Sequence, residues 1–160
     1  MSDTEYINER DAMAYEEAEA ALASAVADRK YALLVGRPEL TAKLAAGTGP
    51  KATASVTDHM AKMFETMGEN GARAGALTEA DGGVLVLRDA EMTSDNDIKI
   101  FRAVKRYHEI RLARTKRNCT LPANVTLVGC AESQTENHRK RIYRLSKELF
   151  YVVLLLVKIA

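Results

Sequence analysis

The chain contains no tryptophan, and only two cysteines and three prolines in 160 residues. Cys119 and Cys130 stand in no CxxC spacing and without a histidine nearby, so neither a zinc site nor a disulfide framework is expected, and both thiols are read as reduced. An excess of one charge is missing too. With a formal net charge of +1, the field of the whole molecule is weak, and affinity for nucleic acid or a membrane surface has to come from local clustering. The longest apolar run, Leu149 to Val157, is about half of the ~18 residues that a membrane-spanning helix requires. It reads instead as a buried strand, with no membrane partner. Met1–Arg10 lacks a charged segment followed by an apolar one, which argues against a secretory signal. The expected location is cytoplasmic, or nuclear in a eukaryote.

Hydrophobic residues make up 47% of the chain, enough for one ordinary core and hence one domain over residues 1–160, with residues 1–10 expected to be flexible. The balanced total hides a partition. Residues 1–30 carry eight acidic and three basic side chains, whereas residues 99–117 carry eight basic and one acidic.

Apolar spacing predicts helix over 11–28, then a strand over Tyr31–Gly36 that is apolar enough to be buried on both faces. A second helix follows Pro38. Gly47 to Pro50 breaks it before a short strand over Lys51–Val56. Thr57 reads as the cap of a helix whose Met60, Met63, Phe64 and Met67 form one stripe, most simply a core-packing stripe. Gly68, Gly71 and Gly75 suggest a loop after it. Val84–Leu87 reads as a central strand with Asp89 and Glu91 at its end. Ser94 with Asp97 resembles a capping box opening a helix to about Tyr107. Glu109–Thr115 and Cys119–Leu121 suggest a hairpin around Thr115 to Asn118, followed by the strand Val125–Cys130. Ser133 and Glu136 suggest the cap of a surface helix running to about Lys147, before the last strand, Leu149–Val157.

Strands alternating with helices imply a parallel sheet covered on both faces, with ligands beyond the carboxyl ends of its strands. The informative positions are therefore Gly36 onward, Arg88–Glu91 and Ala131–Ser133. At these places the chain resembles a known family. Tyr15 to Leu22 followed by Leu33-Leu34-Val35-Gly36-Arg37-Pro38 is similar to the helix and strand leading into the phosphate loop of the minichromosome maintenance (MCM) helicases. Ala74 to Gly83 is similar to the stretch before that family's Walker B strand. Arg111-Leu112-Ala113-Arg114 and Thr120-Leu121-Pro122-Ala123 resemble the arms of the hairpin preceding sensor 1. Val125–Ser133 resembles the sensor 1 strand, and Leu145 to Phe150 the arginine-finger segment. The resemblance covers roughly residues 11–157 in the family's motif order, which magnesium-chelatase-like AAA+ proteins share. It implies a three-layer α/β fold with about five parallel strands of the AAA+ P-loop type. A basic β-hairpin before sensor 1 goes with it, and the helical lid is not expected within this chain.

The chemistry that the resemblance implies is not matched by the residues. A phosphate loop needs a second glycine, a lysine six residues after the first glycine, and a hydroxyl for magnesium. Here Gly36 is followed by Arg37 and Pro38, Thr41 is the nearest hydroxyl, Lys43 lies seven positions on, and Leu44 follows it. The Walker B positions hold Arg88 and Asp89, and a guanidinium in place of a carboxylate cannot coordinate a cation. The sensor 1 position is Glu132, and the arginine-finger position is Lys147 or Arg144. Hydrolysis depends on these groups acting together, so no catalytic residue, metal or cofactor is expected. ATP with magnesium is implied by the resemblance alone, although Arg37, Lys43 and Arg88 can meet phosphate charge.

What survives is the basic region. In the MCM family the hairpin reaches toward DNA, and here Arg111, Arg114, Lys116 and Arg117, with Lys105 and Arg106, are the DNA-binding candidates; Lys99 and Arg102 lie just before them. The bland alternative is a solvated charged face. Three functions are therefore weighed: a non-catalytic module that binds DNA or an AAA+ partner in replication or its regulation, a subunit of a composite ATPase or homo-oligomer, and a purely structural domain.

Overall fold

The computed structural model describes residues 12–57, 66–68, 71–73, 75–114 and 117–156. The flexibility expected of residues 1–10 falls outside them. Five parallel strands form the central sheet: β1 (Ala32–Val35), β2 (Ala52–Ser55), β5 (Val84–Arg88), β8 (Thr126–Ala131) and β9 (Val152–Leu155). Their order is β2-β5-β8-β1-β9. Two antiparallel hairpins lie outside this sheet, β3 (Thr66–Gly68) with β4 (Gly71–Arg73) and β6 (Glu109–Arg114) with β7 (Arg117–Pro122). The helices are α1 (Tyr15–Ala27), α2 (Pro38–Ala46), the single turn α3 (Ala76–Glu79), α4 (Asp95–Tyr107) and α5 (Glu136–Glu148).

Alternation along the central strands sends side chains into two separate cores. Leu33 and Val35 join Leu85, Leu87 and Leu127 on one face, where Phe101 of α4 and Ile142 and Leu145 of α5 cover them. Ala32 and Leu34 join Val84, Val86 and Val128 on the other, under Ala18 and Leu22 of α1 and Leu44 of α2. Burial on both faces explains why these strands are continuous apolar runs rather than alternating ones. The chain therefore has the expected three-layer α/β architecture, compatible with a P-loop-like fold.

Several local expectations are corrected. Thr66–Gly68 is a β-strand, so the helix expected from Thr57 does not include Met67; Met60, Met63 and Phe64 lie outside the described residues. Where a loop is expected around Gly68 and Gly71, those two glycines pair across the hairpin, Gly68 ending β3 and Gly71 opening β4. Here cross-strand pairing overrides helical spacing. The second hairpin is tighter than expected. Arg114 pairs with Arg117, so only Thr115 and Lys116, outside the described residues, separate the strands. Ser94 caps α4 through Asp97 N–H as expected, at 3.2 Å. The cap of α5, however, is Thr135, whose hydroxyl accepts the His138 N–H at 3.1 Å, and Ser133 precedes it. The last strand is shorter than its apolar run, because Leu149 and Phe150 are buried ahead of β9 as packing residues.

Candidate functional site

β8 lies between β1 and β5, so the carboxyl ends of those three strands open side by side. A cavity of about 280 Å³ lies there, lined by Gly36, Pro38, Thr41, Arg88, Asp89 and Glu132 among the sequence candidates, and by Ala42, Glu91, Cys130 and Ala131. Six positions from three distant segments are thus brought together. Arg37 and Lys43 are not in the lining. Arg37 is the exposed N-cap of α2, and the Lys43 ammonium sits 5.2 Å from the centre of the Tyr15 ring on α1.

The start of α2 offers an anion few donors. Pro38 has no N–H, and the N–H groups of Leu40 and Thr41 both donate to the Arg37 carbonyl, at 3.0 and 3.1 Å. At most the N–H groups of Arg37 and Glu39 are left of the donors that a helix start ordinarily offers. The Glu39 side chain adds negative charge in the same turn. Thr41, the hydroxyl that could face a metal, is buried and directs Oγ1 to the carbonyls of Arg37 and Pro38, each at 3.4 Å. Gly36 has a packing reason to be glycine, since a Cβ there would lie 2.8 Å from Leu156 Cβ. Its N–H bonds the Ala131 carbonyl at 3.0 Å and so ties β1 to β8.

The carboxylates of the cavity are also engaged. Asp89, in a left-handed conformation with φ 56°, accepts a hydrogen bond from Ser55 Oγ at the end of β2. Glu91 is buried, and its Oε2 accepts the Glu132 N–H at 3.1 Å, which pins the end of β8 to the turn after β5. The Glu132 carboxylate in turn takes a hydrogen bond from Gln134 Nε2 at 2.8 Å. Three acids and one arginine line the cavity, and a phosphate entering it would meet net negative charge. The residues present do not fit magnesium-ATP. Among the described residues no group of three His, Cys, Asp or Glu side chains is arranged to hold a metal. Glu91 lies in the stretch Arg88–Glu91 expected at the ligand end of the sheet, but the sequence assigns it no role there. Its only signal was an acid two residues beyond Asp89.

Compared with known proteins, the chain matches no family model and no curated protein. Its function has to be read from this geometry.

Cys130 forms part of the cavity wall, and burial raises its thiol from 9.0 to about 11, while its hydrogen bond to the Thr41 carbonyl opposes the rise. The unfolded chain would ionise this thiol first. Stability should therefore be complete below about pH 9 and fall as pH climbs toward about 11, by roughly 2–3 kcal/mol in all. Denaturant titrations of the wild type and Cys130→Ala across that range check this, because the difference between them isolates the thiol from Tyr31, whose pKa burial also raises.

A second assembly lies at the far end of α4. That helix buries Ile98, Phe101 and Val104 and turns Lys99, Arg102 and Arg106 outward along an open groove of about 570 Å³, which also includes Lys105 and Tyr107. His108 takes a left-handed conformation with φ 57°, and the chain turns at once into β6 and its Arg111. The basic helix face and the basic hairpin are consequently contiguous. Lys105 is committed within the fold: its ammonium donates to the Leu149 carbonyl at 2.8 Å and stands 5.3 Å from the Tyr31 ring centre. Burial, then the neighbouring Arg102, lowers its pKa. Arg111 chelates Glu109 at 3.0 Å. Arg114 and Arg117 are the last and first residues of their strands, at the hairpin end.

Of the arginine-finger candidates, Arg144 is held by Glu148 at 2.9 Å and by Asp95 at the start of α4. The hydrogen bond from Arg144 keeps the Asp95 carboxyl below its ordinary pKa. Lys147 is exposed on α5.

Proposed function

We propose that the chain is a non-catalytic AAA+-type module of the MCM kind, which binds DNA through the outer face of α4 and the β6–β7 hairpin. The observation that carries this reading is the continuity of Lys99, Arg102 and Arg106 with Arg111 and with the hairpin bearing Arg114, Lys116 and Arg117. Contacts of this type position phosphates without reading base sequence. The AAA+ assignment has separate support: the strands similar to those of the phosphate loop, Walker B and sensor 1 adjoin at one cavity. Phosphoryl transfer is not part of the proposal, because the helix start offers few donors and Arg88 stands where a metal ligand would.

A composite ATPase is the weaker alternative. A residue completing a neighbour's site has to be free to reach it, and Arg144 already has two carboxylate partners in its own chain, which leaves the exposed Lys147 as the candidate for that role.

Calorimetry with magnesium-ATP and, separately, with DNA tests the proposal. DNA binding that is lost in the Arg114→Ala, Lys116→Ala, Arg117→Ala triple variant, with no heat from ATP, is the expected result. Tight magnesium-dependent ATP binding would overturn the reading of the cavity, and DNA binding untouched by the triple variant would overturn the role of the hairpin.

A further inference from the structure

A further cavity, also of about 280 Å³, lies where the start of α4 meets α5. Its α5 wall is Asn137, Lys140, Arg141 and Arg144, spaced i, i+3, i+4 and i+7 so that all four share one helix face. Two of these side chains are fixed in place. Arg141 donates to the Thr93 carbonyl at 2.8 Å, and Arg144 holds Asp95 and Glu148. Those contacts tie α5 to its neighbours, but they do not account for the other two. Lys140 stands 3.9 Å from Glu136 with the two side chains 71% and 72% exposed, and a pair so open to water holds its lysine weakly. Three cations therefore line the cavity against one carboxylate, Asp95. The Arg144 bridge, with Asp95 on one side and Glu148 on the other, separates it from the groove of Lys99, Arg102 and Arg106.

What surrounds these cations favours a peptide over a phosphate chain. Met92 is 50% exposed and directly precedes Thr93, in a turn that packs against α5, so a large apolar side chain borders the charged cavity. The Asn137 amide offers both donors and an acceptor. An extended peptide backbone can use both kinds of group, whereas a phosphodiester has no donor to return. Arg144 already takes carboxylates within its own chain, which is the chemistry a glutamate or aspartate side chain would bring.

We propose that this cavity and Met92 form a docking site for an acidic peptide segment of a partner protein, with a carboxylate seated between Lys140 and Arg141 and a neighbouring apolar side chain on Met92. The site does not rest on the DNA-binding reading and lies on the other side of the Arg144 bridge, so an oligonucleotide should not displace the peptide.

Fluorescence anisotropy of the full chain with a short labelled peptide of glutamate and leucine tests the proposal, beside a peptide in which glutamine replaces every glutamate. The glutamate peptide should bind, and the glutamine peptide should bind at least about tenfold more weakly. Lys140→Glu reverses an exposed charge away from the core. It should weaken the glutamate peptide about tenfold and leave DNA binding within about twofold of the wild type. Lys140→Ala, with an expected loss of about threefold, replaces it if a new acid beside Glu136 disturbs α5. Met92→Ser should also cost about threefold. No binding of the glutamate peptide, equal binding of the two peptides, or no loss in either Lys140 variant would overturn the site. Displacement of the peptide by inorganic phosphate or by an oligonucleotide would overturn it too, by making the cavity a phosphate site.

Discussion

Gly129→Val is expected to destabilise the fold by ~3 kcal/mol, enough to leave a marginally stable domain partly unfolded. Gly129 is on β8, the middle strand of the sheet, where it pairs with Leu33 of β1 and Leu87 of β5. The space its missing side chain leaves is taken by Phe150. A Cβ at this position would lie 2.7 Å from Phe150 Cζ and 3.0 Å from Leu33 Cδ1. The ring cannot simply swing aside, because Phe150 is 4% exposed and packed within the same core. Valine adds two more methyl groups to the overlap. Urea denaturation measures the loss, and an unchanged midpoint would mean that the packing of Phe150 over β8 is not as described. In a Gly129→Ala background, Phe150→Leu should cost clearly less than it does alone, since the smaller side chain relieves the clash. That coupling would assign the effect to this contact rather than to the strand in general.

DNA affinity is expected to collapse with salt. Lys99, Arg102, Arg106 and Arg111 are exposed on the groove and the start of the hairpin, and the sequence adds Arg114, Lys116 and Arg117, seven cations in all. If about five of them meet phosphates, log affinity for a single strand falls against log salt with a slope of about −3.5. Raising salt from about 50 to about 200 mM then weakens binding roughly a hundredfold. Each arginine replaced by alanine should make the slope shallower by about 0.7. A flat salt dependence would mean that binding does not use this face. Arg111 has the smallest expected share, because it must leave the Glu109 carboxylate to reach a phosphate.

The layered architecture was legible because its signal is local. The runs around Leu33, Leu85 and Val128 are apolar on both faces, and Ser94 sits three residues before Asp97 as a cap requires. The strand order was not legible, since no local pattern says that β8 inserts between β1 and β5. Yet that insertion gathers Gly36, Arg88 and Glu132 into one cavity. Thr66–Gly68 misled because Met67 continues a helical stripe, whereas the pairing that makes it a strand comes from Gly71–Arg73. Within the cavity, residue types revealed the altered chemistry. They did not reveal that Glu91 ties down Glu132, or that Leu156 accounts for the glycine at 36. Those are contacts between distant segments, invisible until the sheet is assembled.

That same strand order bears on how the chain reaches its native state. β1 is formed early in the sequence, at Ala32–Val35, but both its neighbours, β8 at Thr126–Ala131 and β9 at Val152–Leu155, come from the final third. During synthesis it has no sheet partner until nearly the whole chain has emerged. High sequence separation between paired strands slows folding and prolongs the exposure of apolar strands. Leu33, Leu34 and Val35 are therefore most open to misassociation before β8 exists, and any fragment ending ahead of Thr126 would carry that strand unpaired.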